Sequence, residues 1–255
     1  MGDLMSRKVS GIPRDLLFWY EFAKVFDVTT PEGKARLETL RRRIGQTLQK
    51  LDIQISKGDK VLILMSGTCP EGIVLAMDYG AKPVCVDVRE DALKKGAEFA
   101  KSLGAELEII TCDLTEIPSC KLGKGYSLAM IWGSSLPHIS IWDFDSIAIR
   151  LNKILNPGGW LIIEQTDLVF GMYKRYRDVV LESADIPVLS IHSTFSPEDG
   201  YFERMLWRLD TNERLFTKMY VWSPWIISYV LLKNGFKDVI SIYIHPRHVV
   251  AGRAA

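Results

Sequence analysis

Asp87 and Asp113 stand at the ends of short apolar runs, and Gly67 lies in a turn (SGTCPEG) that follows an earlier run, VLILM. A glycine in such a turn lets backbone approach a nucleotide-like ligand. Asp87 comes 20 residues after Gly67. From that position a carboxylate accepts hydrogen bonds from both ribose hydroxyls, each contributing about 1.5–3 kcal/mol. Asp113 is placed to accept from an adenine amino group on the same edge. For one acid alone, capping of the next helix is the stronger reading. Two acids at successive strand ends above a glycine-containing turn shift the balance to nucleoside binding.

His138 lies six residues past Trp132. Its ordinary pKa suits removal of a proton from an acceptor hydroxyl or amine, and a loop histidine bonded to backbone is the equal alternative. Ser134 and Ser135 are nearby, but nothing resembles a nucleophile elbow, which argues against a hydrolase. Glu164 and Asp167 end a later apolar run and face the same edge. His245 and His248 (HPRH) lack a cysteine or acid at ligand spacing and read as a turn, so no metal is expected. Trp19, Tyr20, Tyr173, Tyr176, Tyr201, Arg204 and Trp207 lie outside the apolar runs. Each alone reads as packing. Together they suggest an aromatic enclosure that excludes water and favours a cation.

These groups need a scaffold, and the pattern supplies one. Residues 13–26 are apolar on most faces and read as a covered helix. Thr30-Pro31 starts a second helix, whose Leu37, Leu40, Ile44, Leu48 and Leu51 mark one buried face; Arg41, Arg42 and Arg43 beside it read as solvated. Runs at 61–65, 83–88, 107–111, 128–132 and 160–164 then alternate with helices at 90–103 and 142–155 and a short one ending at Tyr79. Continuous apolar strands between helices predict a parallel sheet buried on both faces, a doubly wound α/β domain with ligands at its carboxyl edge. Residues 188–195, 201–209 and 214–222 have hairpin spacings and predict an antiparallel insertion. A helix from Ser223-Pro224 to Gly235 and strands at 236–243 and 248–253 close the chain.

The 255 residues carry 32 Lys+Arg against 31 Asp+Glu, so nothing in the net charge of +1 points to nucleic acid or an anionic membrane. No apolar run is long enough to span a bilayer, and the first fifteen residues lack a signal-peptide pattern. The expectation is a cytoplasmic globular protein. Cys69, Cys85, Cys112 and Cys120 form no CxxC pair, and two lie inside apolar runs. They read as reduced, small hydrophobes rather than a disulfide or zinc scaffold.

Residues 61–167, and more loosely the chain through Arg253, resemble a class I S-adenosylmethionine-dependent methyltransferase of the small-molecule type. The segments that carry this are VLILMSGTCPEG, VCVDVRED, IITCDLTEIP, YSLAMIWGSSLPHI and LNKILNPGGWLIIE, with SPWIISYVLLKNGFKDV and RHVVAGR at the end. The resemblance implies a mostly parallel seven-stranded sheet. It implies an N-terminal helical cap (1–56), a cofactor-binding core (57–167), an antiparallel substrate-side insertion (168–222) and a core completion (223–255). It also implies S-adenosylmethionine as cofactor and S-adenosylhomocysteine as product. Met65, Ser66, Gly67 and Thr68 would line the methionine portion, Asp87 the ribose, Val88, Asp113 and Leu114 the adenine, and Trp132 and Gly133 the sulfonium. Trp19, Tyr20, Tyr173, Tyr176, Arg204 and Trp207 would face a small-molecule acceptor, with His138 as the catalytic base. The family's first loop carries a strand acid and three alternating glycines. Here Ile63, Met65 and Cys69 replace the acid and two glycines, so the loop is expected to hold ordinary dihedrals at 65 and 69.

Two other readings compete. The degenerate loop suits a catalytically silent relative that binds a nucleoside or a partner protein. A nicotinamide-dependent oxidoreductase would share Asp87, but the GxGxxG pattern is absent.

Overall fold

The computed structural model describes residues 8–9, 12–116, 120–183 and 185–255. The expectation about a leader segment falls partly outside them. In chain order the elements are β1 (Lys8–Val9), β2 (Ile12–Pro13), α1 (Arg14–Phe22), α2 (Pro31–Lys50), β3 (Lys60–Leu64), α3 (Pro70–Tyr79), β4 (Lys82–Asp87), α4 (Glu90–Ser102), β5 (Glu108–Thr111), β6 (Tyr126–Ile131), α5 (Ile141–Ile154), β7 (Leu155–Gln165), α6 (Leu168–Arg175), β8 (Val179–Ser183), β9 (Val188–Ser196), β10 (Tyr201–Arg208), β11 (Glu213–Tyr220), α7 (Pro224–Lys233), β12 (Lys237–Ile244) and β13 (Arg247–Arg253).

Seven strands form one sheet in the order β12-β13-β7-β6-β3-β4-β5, parallel from β7 to β5, with β13 antiparallel to both β7 and β12. Alternate residues of each strand serve opposite faces. Leu62, Leu64, Val86, Ala129, Ile131 and Ile163 pack with Phe144, Ile147 and Leu151 of α5 and Ile227 and Leu231 of α7. Val61, Ile63, Cys85, Leu128, Met130 and Ile162 pack with Leu40, Ile44 and Leu48 of α2, Leu75 of α3 and Leu93. Ile63, in the place of the family's strand acid, is 1% exposed in this second layer. There an isoleucine contributes about 1.5–3 kcal/mol. From β3 the chain winds to β4 and β5, then crosses to β6 on the other side of β3. The carboxyl ends of β3 and β6 therefore flank the crevice where strand order reverses.

Residues 13–26 are not one helix: α1 ends at Phe22 and a short 3-10 turn covers Lys24–Phe26. The backbone of Asp27 and Val28 crowds Gly33 of α2 so closely that any side chain there would collide. Thr30 caps α2 by accepting from the Gly33 amide at 3.0 Å. The insertion is a four-stranded antiparallel sheet, β11-β10-β9-β8, preceded by α6. Its short first strand β8, with Val179 and Leu181 exposed, carries no alternating core signal. Phe18 of α1 packs on Val188, Leu206 and Leu215 of this sheet.

The cysteines depart from expectation, because Cys69 is disulfide-bonded to Cys85 and Cys112 to Cys120. Parallel pairing of Ile63 with Cys85 sets β4 beside β3, and the turn after β3 folds Cys69 onto it. No local spacing announces a contact made through strand register. Cys69–Cys85 closes 16 residues, which in the chain-entropy account stabilises by about 3 kcal/mol. Thiol titration of the unfolded, unreduced protein should detect no free thiol. Reductant should lower the unfolding free energy, measured in denaturant, by about that amount for this bridge. Four titratable thiols would contradict the pairing.

Candidate functional site

The site begins with the turn after β3. Met65, Gly67 and Cys69 all hold positive φ, at 54°, 55° and 54°. The expectation of ordinary dihedrals at 65 and 69 is therefore corrected: the alternating left-handed backbone is kept although two glycines are replaced. Left-handed φ costs a side-chain-bearing residue about 1–2 kcal/mol, so the surroundings must hold it. The Cys69 amide donates to the Ser66 carbonyl at 2.7 Å, and the Ser66 amide to the Val86 carbonyl at 3.0 Å. The Gly67 amide donates to Asp87 Oδ2 at 2.7 Å. Thr68 Oγ1 donates to the Phe26 carbonyl and accepts from the Val28 amide. The disulfide fixes Cys69 from below.

Asp87 is 6% exposed. Besides Gly67 it accepts from Arg89, through the amide at 2.9 Å and through Nε at 3.2 Å, both at Oδ1. The Arg89 guanidinium lies over the ring of Tyr20 of α1, its Cζ 3.3 Å from the ring centre. Asp113 accepts from the amide and hydroxyl of Thr115 at Oδ1.

Two adjoining cavities occupy this edge. One, about 410 Å³, is lined by Met65, Asp87, Val88, Arg89, Asp113 and Leu114 on the sheet side. Across it stand Asp15, Tyr20, Glu203, Phe216, Lys218 and Tyr220. The other, about 260 Å³, is lined by Ser66, Gly67, Glu71, Arg36, Trp132 and Gly133. Met65, Tyr20, Arg89, Ser135 and His138 border both. The His138 ring opens to the cavities, and desolvation by the surrounding protein lowers its pKa below 6.5, against the opposing pull of Asp15.

The structure thus gathers Met65, Ser66, Gly67, Asp87, Val88, Asp113, Leu114, Trp132, Gly133, His138, Trp19 and Tyr20 around one space. Thr68 lies beneath it, tied to the N-terminal segment. Tyr173, Tyr176, Arg204 and Trp207 do not line either cavity. Tyr173 is 87% exposed, and Tyr176 hydrogen-bonds His192. Arg204 is buried on the far side, donating to Ser190 Oγ at 2.6 Å and to carbonyls of Arg177 and Asp178. Trp207 donates to Asn212 at 3.0 Å. Asp167 caps α6 by accepting from the Phe170 amide. Glu164 is fully buried, paired with Arg43 and Arg247, and accepts from the Gly133 amide at 3.0 Å.

Several lining residues had no signal in sequence. Glu71 sits where a helix start normally welcomes an acid, so it reads as a cap, yet it is 5% exposed and faces the smaller cavity. Arg36 was one charge among many on α2. Phe216, Lys218 and Tyr220 do alternate along β11, a cue that became specific only with the register. Among the described residues no three His, Cys, Asp or Glu converge as a metal site, and no helix is long and apolar enough to cross a membrane.

Neither a family profile nor a curated protein sequence matches the chain. Solved structures do. The PH0226 protein from Pyrococcus horikoshii aligns with a TM-score of 0.68 at 20% identity, over 94% of this chain and 99% of that one. An S-adenosylmethionine-dependent methyltransferase from Clostridium acetobutylicum aligns at 0.69 and 13%, over 93% and 99%. The CcbJ methyltransferase from Streptomyces caelestis aligns at 0.63 and 15%, over 86% and 90%. The fold is that of a class I methyltransferase. Within this methyltransferase fold the seven-stranded sheet, the reversed last strand and the separate antiparallel sheet all have their expected places.

Burial raises the Glu71 carboxyl to about 7, offset in part by Arg36. The unfolded chain loses this proton near 4.5 and the native protein near 7, so stability falls as pH rises through that window. Glu71→Gln should flatten the pH 5–7 part of the stability curve and raise stability at pH 8 by on the order of 3 kcal/mol. Denaturant unfolding at pH 5 and pH 8 measures it; an unchanged difference between the two would refute the burial of an ionised group.

Proposed function

We propose that the protein is an S-adenosylmethionine-dependent methyltransferase acting on an oxygen or nitrogen of a small-molecule acceptor. The observation that carries this reading is the turn at 65–69, left-handed at every alternate residue, braced by a carboxylate at the end of the next strand. Strain kept at two side-chain-bearing positions argues for a ligand that needs this backbone. The cofactor supplies an electrophilic methyl carbon on a sulfonium centre.

The chain's own residues fit such a group. An ionised carboxylate offers about four acceptor positions, of which Gly67 and Arg89 occupy three in Asp87. Withdrawal of the Arg89 side chain leaves two, one for each ribose hydroxyl. Val88 and Leu114 offer apolar faces to a base, and Asp113 an acceptor edge. Arg36 and Glu71 carry opposite charges suited to the carboxylate and ammonium of an amino-acid end. His138, whose pKa burial lowers, takes the proton of the acceptor. Enclosure by α1 and β11 excludes water and orients the two reactants, which can supply several kcal/mol of the barrier reduction. Residues 1–56 and 168–222 act as cap and acceptor wall around the core formed by 57–167 and 223–255.

A silent nucleoside- or partner-binding protein is the second reading. It draws on Arg89, which lies across Asp87 in the position a ribose would take.

Calorimetric titration of protein freed of carried-over ligand, with S-adenosylmethionine and S-adenosylhomocysteine, tests the proposal. Saturable binding is expected, weakened about a hundredfold by Asp87→Asn. With an acceptor in hand, His138→Gln should lower kcat about 10²–10⁴-fold and leave S-adenosylhomocysteine affinity in place. Absence of binding would sink the methyltransferase reading; binding without transfer to any of a broad acceptor set favours the silent one.

A further inference from the structure

The wall opposite the nucleoside loop carries a charge that the protein does not balance. Glu203, on β10, is 7% exposed and borders the larger cavity, with no hydrogen bond or ion pair to its carboxylate among the described residues. Burying an ionised carboxylate without a partner is costly. Neighbouring cations are committed elsewhere. Arg204 donates to Ser190 and to the Asp178 carbonyl, Arg208 pairs with Glu21, and Arg14 with Glu213. Lys218 faces Glu203 across the strand pair, but its Nζ lies over the Tyr201 ring, 4.4 Å from the centroid.

A second carboxylate lines the same cavity from α1. Asp15 accepts from Thr217 Oγ1 at 2.8 Å through Oδ2. Tyr20, Phe216 and Tyr220 complete this wall. On this wall two acids face one lysine among aromatic rings, an arrangement complementary to a positively charged group. A neutral or anionic ligand would leave Glu203 desolvated and unpaired.

We propose that the acceptor is a cationic amine, recognised by Glu203 and Asp15 against Tyr20, Phe216 and Tyr220; this rests on reading the cavity as a methyltransferase site. The charge is a recognition handle and need not sit on the atom that is methylated.

The probes are 2-phenylethylammonium and 2-phenylethanol, matched in shape and differing in charge. They are titrated into the full chain, both free and saturated with S-adenosylhomocysteine. The amine should bind about tenfold to a hundredfold more tightly than the alcohol. Glu203→Gln should remove most of that preference, and Asp15→Asn part of it, with far-ultraviolet circular dichroism unchanged. Equal affinities for the two probes, or a preference untouched in a folded Glu203→Gln protein, would overturn the proposal. Failure of S-adenosylhomocysteine to bind would overturn the methyltransferase reading instead, and the amine–alcohol comparison on the free chain would still decide the cation site.

Discussion

A five-residue turn holds three left-handed residues, and only one of them is glycine. The strain at Met65 and Cys69, about 1–2 kcal/mol each, is offset by contacts that reach into three other parts of the molecule. β4 supplies the Val86 carbonyl and the Asp87 carboxylate, and through Cys85 a covalent tie. The segment before α2 supplies the Phe26 carbonyl and Val28 amide. α4 approaches so closely that Gly96 stands against the Thr68 carbonyl with no room for a Cβ. Each net hydrogen bond contributes about 1 kcal/mol, so the set suffices to hold the strained form. Distortion of the turn would be felt in all these elements.

A second polar knot lies at the floor of the smaller cavity. Glu164 has no exposed side-chain surface and joins Arg43 of α2, Arg247 of β13 and the Gly133 amide. It thereby links the N-terminal cap, the closing hairpin and the loop after β6. Removing one partner of such a knot leaves a buried charge uncompensated, typically costing 3–5 kcal/mol. Next to it Glu71 has no paired cation, and burial prevails over the opposing pull of Arg36.

The core was legible because buried parallel strands leave continuous apolar runs and because Gly80 and Gly104 punctuate them. Asp87 and Asp113 could be singled out because strand ends are countable. The conformation of Met65 and Cys69 could not, since residue type predicts the ordinary dihedral and only the surrounding bonds override it. The cysteine pairs depend on strand register and on a turn, neither of which spacing records. The acceptor wall was misjudged for a related reason. Arg204 and Trp207 look functional as types, yet β10 turns one of them toward Ser190 of β9 and lets the other answer a turn asparagine. Glu203, an ordinary acid one residue before Arg204, is the one that meets the cavity. A one-residue difference in position along a strand exchanges faces, and unaided sequence patterns seldom resolve that.

The Thr68 hydroxyl has a consequence for the order in which the chain assembles. Its partners lie about forty residues upstream, in a segment that leaves the ribosome well before β3 and β4 exist. Residues 12–30 have no surface to settle on until the sheet that begins at Lys60 has formed, and α1 must also await the insertion beyond Val188 that covers Phe18. This early segment is thus among the last to find its place. During synthesis its aromatic residues Phe18, Trp19, Tyr20 and Phe22 stay uncovered until the insertion forms, a stretch open to chaperones and to wrong associations.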